Sequence, residues 1–337
     1  MNISTEGDAG DVLMLACLLK HLPNGPHTLL FDVSSTGTKS TPEGLDSLVG
    51  DLVRAQDYIL DARVKTPKDH VHWRSAEFRR LKHYTPGETL MQAHLNHYIY
   101  TTQKPVTIKG DTPWLKVKPS AVSKGRIVIN RTGRYRNDCF PWAKVVDHYK
   151  HLPLFVGLEH EWREFCGHFG YVDYLPTQNL MQVAQLIAGS ELFIGNQSCA
   201  NAIAEGLKHP RIQETSLVFP DCVFPTAEGY PKGQYVATGE VLLPAVGSRP
   251  EIVVPSNEPK FKPLDISRVP PGMWQYPGET TAMHIQTIAR EVSRHNGVST
   301  EQAKLMVYEY QCARLPTFFA SENGHLANFN EAMKKLG

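Results

Sequence analysis

Apolar residues along this chain fall into short blocks, separated by glycine, proline and small polar residues. Their spacing switches between strand-like and helix-like. Asn2 to Thr5 is a brief strand at most. The turn Glu6-Gly7-Asp8-Ala9-Gly10-Asp11 leads into the apolar run Val12 to Leu19, which predicts a first buried helix ending near Pro23-Asn24-Gly25-Pro26. His27 to Val33 reads as a buried strand, Gly44 to Ala55 as helix, Tyr58 to Val64 as strand and Thr89 to Tyr100 as helix. A second series starts at Gly125. It runs as a strand at Arg126 to Asn130, a helix at Trp142 to Tyr149, a strand at Leu154 to Gly157 and a helix at His160 to Phe169. Asn179 to Ala188 places Leu180, Val183, Ala184 and Ile187 at helical spacing, and strands follow at Leu192 to Ile194 and Thr215 to Phe219.

Alternating strands and helices imply parallel, doubly wound sheets, here in two α/β halves with a seam near Ser120 to Arg126. Pro220 to Tyr276 is rich in proline and glycine and reads as loops with short strands. Glu279 to Arg294 is helical, and Ser299 opens a further helix as a capping box with Gln302. The expected division is an N-terminal domain over 1–122, a second over 123–278, and helices over 279–337 that pack back on the first domain.

Composition narrows the class. The 337 residues are 41% hydrophobic and 20% charged, as in a soluble globular protein. No apolar run approaches the roughly 20 residues of a membrane span. The opening MNISTEGDAGD is polar and acidic, unlike a signal or transit peptide, so a cytoplasmic location is expected. The six cysteines include no CxxC pair, which argues against a zinc ribbon and suits free thiols. Net charge is +1 but unevenly placed: residues 60–126 hold thirteen Lys or Arg against five Asp or Glu, a local +8 that leaves −7 for the rest. Such an excess suits either an anionic partner or a solvated face.

Three stretches carry candidate chemistry. Glu191 to Pro210 reads as strand, tight turn and helix. A helix opening on Gly195-Asn196-Gln197-Ser198 turns unpaired N–H groups and a partial positive charge toward a phosphate, or else is an ordinary turn capped by Ser198. Two turns on, Glu205 suits ribose hydroxyls or is a solvated helix charge. The loop Arg131-Thr132-Gly133-Arg134-Tyr135-Arg136 sets three arginines, Arg131, Arg134 and Arg136, directly after a strand, a fork-shaped anion pocket. The turn at Gly7 to Asp11 lacks GxGxxG spacing and so is no dinucleotide fingerprint. It offers the Asp11 carboxylate as a base, or as a helix cap.

These residues resemble the heptosyltransferase-like glycosyltransferases. Gly10-Asp11-Val12-Leu13 is similar to that family's Gly-Asp-Val/Ile opening, and Phe193 to Ser198 with its Ala-rich helix to its donor signature. Arg126 to Trp142 resembles the start of its second domain, and Gln178 to Ser190 the helix before the donor strand. The likeness covers about residues 1–20 and 125–210. It implies an α/β protein of GT-B fold: two facing Rossmann-like domains with a C-terminal helical extension. It also implies an inverting transfer from a nucleotide-sugar substrate, no cofactor and no essential metal. By the resemblance Asp11 matches the general base, and Arg131, Thr132, Arg134 and Arg136 with Asn196, Gln197 and Ser198 match the donor-phosphate site; Gly195 and Glu205 join the donor site from the strand, turn and helix read above. Gln197-Ser198-Cys199 stands where the family has Asp-Ser/Thr-Gly, and Ala202 where it has a histidine, which points to a nucleotide sugar other than ADP-heptose.

The acceptor surface falls in the basic N-terminal half, with Asp8, Trp73, Arg74, Arg79, Arg80 and Lys82 as its candidate residues. Cations interleaved with aromatics suit nucleic acid, such as a hydroxylated, flipped DNA base, and the charge equally suits a phosphorylated lipopolysaccharide-type glycan. His70 and His72 lack a carboxylate partner at helical spacing and are not read as metal ligands. Two other classes remain open: a non-catalytic nucleic-acid-binding protein on the same scaffold, and a sugar-nucleotide epimerase.

Overall fold

The computed structural model describes residues 1–33, 40–75, 89–108, 112–216 and 233–236, together with 241 and 243. The first unit follows the expected alternation. Strand β1 (Asn2–Thr5) leads into α1 (Ala9–His21), then β2 (His27–Phe31). A short helix α2 (Pro42–Leu45) passes through a π turn (Asp46–Gly50) into α3 (Asp51–Arg54), followed by β3 (Ile59–Val64). A two-residue strand β4 (Trp73–Arg74) and helix α4 (Leu90–Thr102) complete it. The four strands pair in parallel in the order β3-β2-β1-β4.

The second unit begins at β5 (Ile127–Asn130) and alternates through α5 (Trp142–Tyr149), β6 (Pro153–Phe155), α6 (Glu159–Phe169) and β7 (Asp173–Tyr174). It continues with α7 (Leu180–Gly189), β8 (Leu192–Asn196), α8 (Cys199–Gly206), β9 (Arg211–Glu214) and β10 (Gly233–Val236). Its parallel sheet has the order β10-β9-β8-β5-β6-β7. Every residue of β2, β5 and β8 is buried, which is why these strands read as unbroken apolar runs.

One apolar core runs from β1 and β2 through α1, the π turn, α3 and α4 into α7 and α8, so helices of the two units pack directly on one another. A second core joins β5, β6 and β8 to α5 and α6. Trp114 fastens the units. Its indole N–H donates to Leu13 O at 3.1 Å, and its backbone N–H to Gly206 O at 3.0 Å. Lys208 Nζ lies 4.8 Å from the centre of its ring.

One expectation needs correction. The strand expected at Thr215 to Phe219 lies earlier, at Arg211–Glu214, and residues 217–219 are outside the described residues. Arg211-Ile212-Gln213-Glu214 does not look like a buried strand, yet all four residues are buried, because Arg211 ion-pairs with Glu205 and Glu214 with Arg131. Strands β4 and β7 were not anticipated; two-residue strands leave no periodicity to read. The helices expected at Glu279 to Arg294 and after Ser299 lie outside the described residues.

Candidate active site

The order of the second sheet locates a crevice. From β5 the chain passes to one side, to β6 and β7, and returns on the other side at β8. The connections therefore diverge at the carboxyl ends of β5 and β8, where doubly wound sheets bind ligands. The basic loop leaves β5 there, and Gln197-Ser198 leave β8.

Side chains lace the two loops together. Asn196, fully buried, accepts from Thr132 N–H at 3.1 Å and donates to Thr132 O at 3.1 Å and Arg134 O at 2.5 Å. Ser198 Oγ donates to Asn130 Oδ1 at 2.8 Å, and Asn130 Nδ2 donates to Val156 O at 2.8 Å, which ties in β6. Gly195 allows the strands to meet: a Cβ there would lie 2.7 Å from Asn130 O and 2.6 Å from Phe193 Cζ. Gly157, after β6, has φ of +147° and leaves room for Asn130 and for Glu161.

The three arginines have different surroundings. Arg131 is buried and forks onto Glu214, Nε to Oε2 at 2.9 Å and Nη2 to Oε1 at 2.9 Å. Arg136 grips Glu164 with both terminal nitrogens, holding its own charge up and that carboxyl below its ordinary range. Of the three arginines expected to form an anion pocket, two are thus paired with carboxylates, Arg131 with Glu214 of β9 and Arg136 with Glu164 of α6. Arg134, exposed, lies over the Tyr135 ring at 5.3 Å. Burial pushes the thiol of Cys199, the first residue of α8, up to about 11, while the nearby charges of Arg134 and Glu161 act on it in opposite directions.

The other donor-site candidates face inward. Gln197 is buried and its Oε1 accepts from Ser216 N–H at 2.5 Å. Glu205 is fully buried and ion-pairs with Lys208 and Arg211, so its carboxylate serves the interior and not a ribose. It is not a solvated helix charge either.

The first sheet has its own divergence, between β1 and β4. At the carboxyl end of β1, Asp8 caps α1 and accepts from Ser40 Oγ at 2.8 Å. Asp11 is buried on the first turn of α1, and its Oδ2 accepts from Asp8 N–H at 2.9 Å. It belongs to the capping box as the residue reaching back, not as the cap itself.

The aromatic and basic candidates separate. Trp73 is buried, donates to Thr101 Oγ1 at 3.1 Å and packs on His97 and Tyr98; it is a core residue and not a stacking platform. Arg74 beside it is exposed, 4.0 Å from Asp32, which also holds Lys65 at 2.7 Å. Arg63 is likewise engaged by Asp61 and Asp69, so acidic neighbours offset part of the local positive excess. Arg79, Arg80 and Lys82 lie outside the described residues.

Sequence reasoning missed Asn130, Glu161 and Glu214. A polar residue closing the apolar strand Ile127-Val128-Ile129 was a signal for the first. Glu161 Oε2 accepts from Leu158 N–H at 3.1 Å at the head of α6, at capping-box spacing, a legible signal for the second. Glu214 had none, since its partner is 83 residues away. Among the described residues no group of three or more His, Cys, Asp or Glu is placed to hold a metal ion, and no helix is long and apolar enough to cross a membrane.

No protein-family model and no curated protein matches the chain. Among solved structures it is similar to the E. coli heptosyltransferase WaaC with ADP, at 12% identity over 71% of this chain and 95% of that one, with a TM-score of 0.48. It is similar to a glycosyl transferase family 9 protein from Veillonella parvula, at 12% identity over 70% and 85% of the two chains, TM-score 0.47. A third is E. coli ADP-heptose lps heptosyltransferase II, at 14% identity over 70% and 90%, TM-score 0.39. All three are glycosyltransferases.

Proposed function

We propose that this chain is an inverting, metal-independent glycosyltransferase. It would move a sugar from a nucleotide-sugar donor to a hydroxyl of an anionic, lipopolysaccharide-type glycan. The observation that carries the reading is the bonding of Asn196 to Thr132 and Arg134, which makes one preorganised anion site of two loops at the sheet's divergence. Asp11, at the first sheet's divergence, takes the proton of the acceptor hydroxyl. That oxygen attacks the anomeric carbon opposite the leaving group and inverts it, while the diphosphate departs with the bonding electrons. Arg134 and the first N–H groups of α8 meet the growing charge in place of a divalent ion. The burial of Trp73 removes one of the rings that would stack a flipped base, which favours a glycan acceptor over a DNA base.

The test is a thermal-shift screen of UDP-, GDP-, ADP- and CMP-linked sugars. A donor at a hundredfold excess over its Kd contributes about 2.7 kcal/mol, several degrees in Tm for a protein of this size. A shift with one nucleotide family supports the reading. No shift with any of the four overturns it.

A further inference from the structure

Glu214, the last residue of β9, is fully buried and bonded to both ends of the basic loop. Its carboxylate accepts from the Arg131 guanidinium at the start of the basic loop and from Asn137 N–H, 2.8 Å away, at its end. Trp142 Nε1, at the head of α5, supplies a further donor at 2.9 Å. Asn137 Nδ2 reinforces the closing end by donating to Thr215 O, the next residue along from Glu214, at 2.8 Å. Both ends of the loop are therefore bolted to one point on β9. Arg134 stands between them, its backbone held by Asn196, and Tyr135 follows with a left-handed φ of +58°. A non-glycine residue in that region is held there by the structure around it.

We propose that Glu214 is a positioning residue for the anion site. By clamping Arg131 and Asn137 it sets where Arg134 stands, and so sets the affinity for a phosphate-bearing ligand that it never touches. The proposal rests on the reading of the crevice as an anion site. It also accounts for Arg131, whose charge Glu214 consumes: that arginine anchors the loop and does not read the ligand. A carboxylate with a purely structural role would change stability and leave affinity alone.

The experiment is calorimetric titration of ADP, UDP, GDP and inorganic pyrophosphate into the full chain, well below every variant's Tm. Glu214→Gln and Arg131→Lys, which breaks the fork onto the carboxylate while keeping the charge, are each expected to weaken binding tenfold or more. Trp142→Phe removes the donor outside the loop and is expected to lower Tm while keeping the wild-type Kd. If the clamp acts through Arg134, Arg134→Ala combined with Glu214→Gln or Arg131→Lys loses no more affinity than Arg134→Ala alone. Should Glu214→Gln fail to fold, Arg131→Lys, which keeps the charge and loses the fork onto the carboxylate, decides alone. Wild-type affinity in the loop variants overturns the proposal and leaves the anion site standing. Failure of the wild-type chain to bind any of the four probes overturns the anion site, and the proposal with it.

Discussion

Asn196 holds Thr132 through both ends of its amide, accepting from the backbone N–H and donating to the backbone carbonyl, each at 3.1 Å. A side-chain amide of β8 thus takes the place of a neighbouring strand for Thr132, two residues after β5, beyond the point where the ladder ends at Asn130 and Gly195. Asn196→Ala leaves those groups without their partner in a closed site, at a cost of about 1–3 kcal/mol. Denaturant melts measure that loss. Titration should show nucleotide-sugar affinity falling with it, since the basic loop loses its hold on the crevice.

Gly195 sits where β8 passes closest to β5. A Cβ there meets the Asn130 carbonyl at 2.7 Å, a backbone atom that cannot swing aside. Gly195→Ala is expected to destabilise the protein by about 1–3 kcal/mol, as overpacking does, and to weaken donor binding by spreading the two strands. A variant with wild-type stability and affinity would mean that the strands have slack here.

The Glu205 carboxylate serves two cations, Lys208 and Arg211, all three buried at the junction of the units. Glu205→Gln keeps the shape and removes the charge, leaving two buried cations poorly compensated. A loss of about 3–5 kcal/mol in chemical denaturation is expected, the scale of a broken buried pair. A ligand-facing role would instead lower affinity and spare stability.

His27 heads β2 fully buried, and burial lowers its pKa below the ordinary 6.5. The unfolded chain therefore takes up a proton on this ring near 6.5 that the folded chain refuses until a lower pH. Stability from this source is complete above about 6.5 and falls as pH drops below it toward the folded value. Melts from pH 7.5 to 5 should show the decline, and His27→Leu should flatten it. An unchanged slope would assign the decline to other groups.

Most of the fold was legible because strands buried on both faces leave continuous apolar runs, as in Leu192-Phe193-Ile194, and amphipathic helices leave 3-4 spacing, as in Leu180 to Ile187. β9 was not legible. Its charges at Arg211 and Glu214 are tolerated only through partners on other elements, and no local pattern encodes a partner 83 residues away. The same limit explains the site. The basic loop and the Gly195 to Ser198 turn stood out by composition, but that Glu214 and Glu164 would absorb two of the three arginines did not. Trp73 looked like a surface aromatic because cations surround it in sequence, whereas pairing with β1 carries it inside.

The central claim, sugar transfer with Asp11 as the base, is tested most directly by Asp11→Asn. An asparagine oxygen can still accept from Asp8 N–H, so the head of α1 is preserved while the base is lost. With the nucleotide sugar found in the screen, the rate of nucleotide release should fall by about 10²–10⁴, with donor affinity unchanged. A variant that binds the donor and turns it over at the wild-type rate would contradict the account.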